Sequence, residues 1–211
     1  MPGIFITLEG IDGSGKSTQA RLLLDWVRRQ GRGVQLTREP GGTEVGAQLR
    51  RLVLSPENLI TPEAELFLYL ADRSLHVAQV VRPALEAGEI VICERYTDST
   101  LAYQGYGRGL DLELLRRLNG IATGGLLPDL TVILDITPSQ ARLDATRLDR
   151  LESEGREFGG RVAEGFRALA RAEPSRIGLV DGRAEIDMVH TEVTELVSGL
   201  LGKRQVTDAR D

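Results

Sequence analysis

Ile4-Phe5-Ile6-Thr7-Leu8-Glu9-Gly10-Ile11-Asp12-Gly13-Ser14-Gly15-Lys16-Ser17-Thr18 decides the fold. An apolar, strand-like run enters a glycine-rich turn, and the turn enters an amphipathic stretch. The pattern G-x-x-x-x-G-K-[ST], set between a strand and a helix, is that of a phosphate-binding loop. Its physics is local. Glycines let the backbone wrap so that N–H groups converge on phosphate oxygens, and the helix N-terminus adds partial positive charge. Gly10, Ile11, Asp12, Gly13, Ser14, Gly15, Lys16, Ser17 and Thr18 are therefore the candidate ATP-binding residues. Lys16 can reach the β- and γ-phosphates, and the Ser17 hydroxyl can ligate Mg²⁺. A chance glycine-rich turn would not also bring the flanking strand and helix.

Outward from the loop, apolar runs alternate with helical stretches, the signature of a parallel sheet with crossover helices. Strands are predicted over residues 4–8, 34–37, 90–93, 130–136 and 177–180. Helices are predicted to start at Lys16, Thr43, Pro62, Asp98, Asp111, Ser139, Glu157 and Ile186. Gln30-Gly31 reads as a helix end, Thr61-Pro62 as a capped helix start, and Pro83 as a kink or restart. Gly105 to Gly109 reads as a turn. Residues 202–211 are polar and expected to fray. The chain is expected to form a single domain, 1–211.

Composition sets the outer bounds. With 211 residues, 41% apolar and 27% charged, the chain is of ordinary globular type and large enough for one core. No apolar run approaches the ~18 residues a membrane span needs. Met1 leads straight into the first strand, with no basic region or cleavage pattern, so no secretory leader is expected. The single cysteine, Cys93, lies in an apolar run and reads as a small buried hydrophobe. One cysteine and two histidines do not make a structural zinc site. A cytoplasmic setting fits. The net charge of −5 argues against nucleic acid as a general partner. Only two of the 26 basic residues are lysines, Lys16 and Lys203, so 24 are arginines. A lysine in the loop therefore stands out.

A GTPase switch would need Asn-Lys-x-Asp, which is absent. A small kinase fits better, because arginines follow two further strands. Arg38 ends the second strand within Thr37-Arg38-Glu39-Pro40-Gly41-Gly42-Thr43, and Arg95 ends the third within Glu94-Arg95-Tyr96. Strand C-termini face the ligand crevice of an open α/β sheet. Arg95 could bridge donor and acceptor phosphates, and Glu94 is a second metal candidate beside Ser17. Two arginines and a lysine on one crevice imply more anionic charge than one ATP carries.

The chain resembles the thymidylate kinase family. The resemblance rests on the loop, on residues 37–43, and on Ala71-Asp72-Arg73. It continues through Glu94-Arg95-Tyr96-Thr97-Asp98-Ser99, Ala102-Tyr103-Gln104-Gly105, Pro128-Asp129-Leu130 and Asp149-Arg150-Leu151-Glu152. It implies an α/β, three-layer P-loop NTPase fold: a five-stranded parallel sheet flanked by helices, with a small LID over about residues 139–153. It also implies a homodimer, ATP and dTMP as substrates, Mg²⁺ as cofactor, and a step of dTTP supply for DNA synthesis. By the same resemblance Asp12 holds the sugar 3′-hydroxyl, and Arg38 and Arg95 take the acceptor phosphate. Tyr69 stacks on the base, and Arg73, Thr100 and Gln104 approach its edge. Tyr103 sits by C2′, and Ser99 belongs to the same acceptor set.

Departures from the family pattern sharpen the expectations. Tyr69 stands where phenylalanine is usual, and Phe67, two residues earlier, points elsewhere on a helix. The second arginine motif carries Glu94 where aspartate is usual. The loop offers Gly13 and Ser14 where some members carry a basic residue. An arginine of the LID is then expected on the transferring phosphoryl group: Arg147 and Arg150, three apart, would share a helical face, with Arg142 off it on the hinge or adenine side. The catalytic candidates are Lys16, Arg95, Arg147 and Arg150. Another nucleoside or nucleoside monophosphate kinase, and a non-catalytic nucleotide switch, remain the alternatives.

Overall fold

A computed structural model describes residues 3–143 and 148–208, with the side chains of the last helix described as far as Lys203. Five strands, β1 (Ile4–Glu9), β2 (Val34–Arg38), β3 (Ile90–Glu94), β4 (Leu130–Asp135) and β5 (Ile177–Asp181), form one sheet in the order β2-β3-β1-β4-β5. Every pairing is parallel. Each strand falls within one residue of its sequence-predicted span. β1 is central, and the chain fills one side of it before crossing to the other. That places a switch point, and so a ligand crevice, at the C-terminal end of β1.

Alternation along β1 divides the core. Ile4, Ile6 and Leu8 face α1 (Lys16–Arg29) and α8 (Ile186–Asp208), meeting Leu23, Val27, Val193 and Val197. Phe5 points the other way, among Val77, Val81, Val91, Cys93 and Tyr96. Burial pushes the Cys93 thiol up, in keeping with a packed hydrophobe rather than a nucleophile. A third cluster is built from Leu66, Leu70, Tyr103, Phe158 and Phe166.

Helix ends follow their chemistry. Gly31, at φ +72°, ends α1 in the left-handed conformation that favours glycine. The Thr61 hydroxyl accepts from Ala64 N at 3.3 Å and starts α3 (Pro62–His76), with Pro62 in its first turn. Thr43 caps α2 (Glu44–Leu54) in the same way. α3 passes through a wide, π-helical turn at Val77–Val81 into α4 (Arg82–Glu86), where Pro83 sits in the first turn.

Three expectations change. No helix starts at Ser139. The Thr137, Ser139 and Gln140 side chains bond one another and the Thr137 N–H instead, and Arg142 N donates to Gly13 O at 3.2 Å. The next long helix, α7 (Gly155–Ala172), starts two residues before Glu157. Gly105 and Gly107 are not in a turn. They belong to a buried π-helical segment, Leu101–Gly107, that continues α5 (Thr97–Thr100) and precedes α6 (Leu112–Thr123). A Cβ on Gly107 would meet the Phe158 ring on α7 at 2.7 Å, so glycine allows that packing. α8 also continues through Asp208, into the stretch expected to fray.

Candidate active site

The loop after β1 wraps as its glycines permit. Gly10, Gly13 and Gly15 all have positive φ. A Cβ on Gly13 would press to 2.6 Å of the Arg142 backbone, so this glycine lets the LID segment lie against the loop. No acidic side chain occupies the first turn of α1, and no side chain caps it. Thr18 N and Gln19 N donate to Gly15 O, which leaves the Lys16 and Ser17 N–H groups to an anion.

Lys16 turns into this loop, with Nζ donating to Ile11 O at 2.7 Å. Burial, followed by the Arg95 guanidinium, pushes its ammonium down to about 7, against Asp12, Glu9 and Glu94. The Ser17 hydroxyl donates to Glu94 Oε2 at 2.6 Å. A hydroxyl and a carboxylate are hard oxygen donors of the kind Mg²⁺ takes in ones or twos, with phosphate and water completing its shell. The pair fits such an ion. No group of three or more His, Cys, Asp or Glu able to hold a metal by itself occurs among the described residues.

Arg95 is the pivot. Its backbone has φ +67°, in the left-handed region, and its N–H donates to Leu8 O at 3.0 Å. The side chain is thereby turned across the loop. Its guanidinium donates to Gly10 O, Ser99 Oγ, Asp12 Oδ1 and the Tyr103 hydroxyl, and that hydroxyl donates to Asp12 Oδ2 at 2.8 Å. Burial alone would raise the Asp12 carboxyl. Arg95, Lys16 and Tyr103 outweigh it and hold the group at about 2. Behind them, the buried Glu9 carboxyl accepts from Tyr96 N and from Ser99 N and Oγ. Burial and nearby Asp98 push Glu9 up to about 7. The Ser99 hydroxyl is thus committed to Glu9 and Arg95, and holds Arg95 in place.

Three cavities adjoin along the crevice. The middle one is lined by Lys16, Ser17, Arg38, Arg50, Glu94 and Arg95, together with Arg142. On one side Arg50, Tyr69, Arg73, Thr100, Tyr103 and Gln104 line a pocket that shares Asp12 and Arg95 with the middle cavity. On the other side Gly13, Thr18, Gln140 and Arg142 line a pocket with the β5–α8 connection. This brings Asp12 and residues 13–18 of the loop together with Arg38, Tyr69, Arg73, Arg95, Thr100, Tyr103 and Gln104, whereas Gly10 and Ile11 are buried and line none of the three cavities. Phe67 is 60% exposed, away from the pocket, as its helical offset from Tyr69 requires.

Arg50 went unread in the sequence. Burial, and then the Arg38 and Arg95 guanidinium groups, push it below the usual arginine value, so three arginines converge on one point. Arg50 also donates to Pro40 O at 3.0 Å. The Arg50-Arg51 pair on an amphipathic helix resembles a solvated face, and only the buried Gly46, four before Arg50, and Val53, three after it, separate the two.

The LID arginines differ from expectation. Arg147 lies outside the described residues. Residues 148 and 149, which lead into Arg150, are not helical, and the Arg150 side chain is turned to Glu65 and not to the loop. Its guanidinium is buried, donating to Glu65 Oε2 at 2.5 Å and Val53 O at 2.9 Å. Arg142, expected off the Arg147 and Arg150 face on the hinge or adenine side, lines both cavities beside the loop. Arg73 is also more committed than a base-reading residue would be. It donates to Glu39 Oε2 at 2.8 Å, Thr100 Oγ1 at 2.7 Å, Asn119 Oδ1 at 2.5 Å and Tyr96 O at 2.9 Å. Four of its five N–H groups are occupied.

Comparison with known proteins shows the family and supports the fold. A family model described as thymidylate kinase matches residues 8–193. The chain is 49% identical over 211 residues to the thymidylate kinase of Solidesulfovibrio magneticus, covering 95% of this chain and 99% of that one. It is 56% identical over 174 residues to the thymidylate kinase of Synechococcus sp. (strain JA-2-3B'a(2-13)), covering 82% and 84%. The crystal structure of thymidylate kinase from Ehrlichia chaffeensis superposes with a TM-score of 0.78 at 36% identity, covering 94% of this chain and 99% of that one.

Proposed function

The chain belongs to the thymidylate kinase family, and from that membership we infer its reaction: transfer of a phosphoryl group to dTMP, giving dTDP. The donor we assign is the γ-phosphate of ATP, and the step supplies dTTP synthesis. The observation that carries the reading is the convergence of Lys16 with Arg38, Arg50 and Arg95 on a cavity flanked by two pockets. That is charge enough for two phosphorylated ligands meeting head to head.

The nucleophile needs little help. A phosphate monoester has a second pKa of about 6, so the acceptor is mostly a dianion at neutral pH and requires no general base. The difficulty is aligning two anions. In this reading Arg38 and Arg50 hold the acceptor phosphate, and Arg95 spans the gap between acceptor and donor. Lys16 and the loop N–H groups hold the donor phosphates. Asp12, held ionised by Arg95, accepts from the acceptor sugar hydroxyl. Ser17 and Glu94 would hold Mg²⁺, which when bound would neutralise donor phosphate charge. Arg142 serves the donor phosphates from the LID and Arg150 anchors the LID to Glu65, while Arg147, the other arginine expected on the transferring group, lies outside the described residues.

The decisive assay couples ADP release to dTMP, dUMP, UMP, dCMP and AMP, each offered separately. The expected result is fastest turnover with dTMP. No release above the acceptor-free rate with dTMP, or faster release with AMP, rejects the assignment. We further propose a cytoplasmic homodimer. α3 and α6 lie side by side and leave Phe67, Leu114 and Ile121 exposed, a suitable apolar contact face. Light scattering on the same preparation should return twice the chain mass, and a monomer mass rejects the dimer.

Tyr69 gives a further test. Its ring lines the acceptor pocket, and its hydroxyl meets no partner among the described residues. Tyr69→Phe should leave dTMP binding unchanged. Tyr69→Ala should weaken it by about 1–3 kcal/mol, the worth of an aromatic platform under a base. Calorimetry with dTMP reads both, and normal affinity in the alanine variant removes Tyr69 from the site.

A further inference from the structure

Beside the acceptor pocket, one buried carboxylate gathers an unusual set of donors. Glu65 on α3 is 0% exposed. Its Oε2 accepts from Arg108 Nη2 at 3.0 Å and from Arg150 Nη2 at 2.5 Å. Its Oε1 accepts from Gln104 Nε2 at 2.7 Å and, more weakly, from Arg108 Nε at 3.4 Å. Glu65, Tyr69 and Arg73 are spaced four apart, so they share the face of α3 turned to the pocket. None of this is needed to bind a phosphate.

The consequence lies in the direction of the hydrogen bonds. A carboxylate paired with two guanidinium groups only accepts. Gln104 must therefore turn its amide NH₂ to Glu65. Its carbonyl Oε1 is then left for the pocket that Gln104 lines, where it meets no donor among the described residues. A similar lock holds its neighbour. The Arg73 guanidinium only donates, so Thr100 Oγ1 accepts from it at 2.7 Å and keeps its own hydrogen to donate. The polar edge of the pocket thus offers an acceptor at Gln104 and a donor at Thr100.

That pattern is complementary to an imide, N–H beside C=O, and opposed to cytosine, which presents a ring-nitrogen acceptor beside an amino donor. We propose that Glu65 is a positioning residue for acceptor selection: it fixes the orientation of the Gln104 amide, and so makes the pocket prefer imide-bearing pyrimidine monophosphates over cytidine-type ones. The proposal rests on the dTMP reading given above.

Glu65→Gln tests it with one atom changed. The short bonds from both arginines go to Oε2, and Arg108 Nε reaches Oε1 only at 3.4 Å, so the new carbonyl oxygen stays with the two guanidinium groups and the new NH₂ falls where Oε1 was. Gln104 must then flip to present its oxygen to position 65, turning its NH₂ into the pocket. The measurement is the ratio of dissociation constants, dCMP over dTMP, by competition calorimetry. It should fall at least about tenfold in Glu65→Gln, the size of one misdirected buried hydrogen bond. A purely structural role would weaken both ligands equally, and an unchanged ratio overturns the proposal. Should Glu65→Gln fail to fold, Gln104→Leu with Glu65 intact carries the same test. The ratio should again fall, and a wild-type ratio there overturns the proposal independently. A wild-type protein that does not phosphorylate dTMP would instead refute the assigned reaction, an outcome distinct from either.

Discussion

Lys16→Ala should lower kcat by about 10²–10³-fold or more, the loss found when one preorganised donor to developing charge is removed. It should do so without loss of stability. The Lys16 ammonium is held down at about 7 by burial and by Arg95, so the fold binds its proton less well than the unfolded chain does, for which the ordinary value is 10.5. The sign follows from linkage. Between these values the unfolded state carries the proton and the native state does not, so native stability rises with pH across that window. Removing Lys16 removes that slope and relieves burial of a charge below pH 7. The variant should melt at or above the wild-type temperature near neutrality. ATP binding by the wild type should take up protons at pH 7–8, because donor phosphates restore the ammonium, and affinity should weaken as pH rises. Near-normal turnover in the variant would mean that the loop lysine does not act on the transferring group.

Arg73→Ala should have the largest effect on stability. Arg73 and Glu39 are both buried and pair at 2.8 Å, and Glu39 also bonds His76 Nδ1 at 2.8 Å. Removing the guanidinium leaves Thr100, Asn119 and the Tyr96 carbonyl without their donor and Glu39 without its cation. Breaking one side of a buried pair costs about 3–5 kcal/mol. At about 2–4 °C per kcal/mol for a chain of this size, the melting temperature should drop by roughly 10 °C. Base recognition should suffer with it, because Thr100 loses the group that orients its hydroxyl. A thermal shift below about 2 °C would show that Arg73 does not hold the site together.

The sheet and the loop were legible in the sequence because their signals are local. Buried strands are runs of adjacent apolar residues, and the phosphate loop is nine consecutive positions. Tyr69 over Phe67 was legible too, since a helical period separates the two. What escaped depends on distant partners. The commitment of Arg150 is to Glu65, 85 residues away, and no spacing rule reports it. Arg142 reads as off the Arg147 and Arg150 face, on the hinge or adenine side, if the LID stretch is taken as a helical turn. The polar side chains after β4 bond locally instead, and the backbone of Arg142 docks on Gly13. The π-helical segments at Val77–Val81 and Leu101–Gly107 carry no periodicity by which sequence would separate them from α-helix or turn. Gly105 and Gly107 have the character of loop residues by type alone, whereas in the fold they admit Leu112 and Phe158.

The low proton affinity of Lys16 has a chemical corollary. An amine that is substantially neutral near pH 7 is a nucleophile at a pH where ordinary lysines are not, as with desolvated lysines that form imines. The sequence holds only one other lysine, Lys203, which is exposed on α8 far along the chain. A nucleotide bearing an aldehyde in place of its terminal phosphate would carry its electrophile to Lys16 and form an imine there, fixed by borohydride. The two lysines lie so far apart in sequence that a single proteolytic map would locate the adduct, which makes this chain unusually suited to selective covalent marking of its phosphate loop.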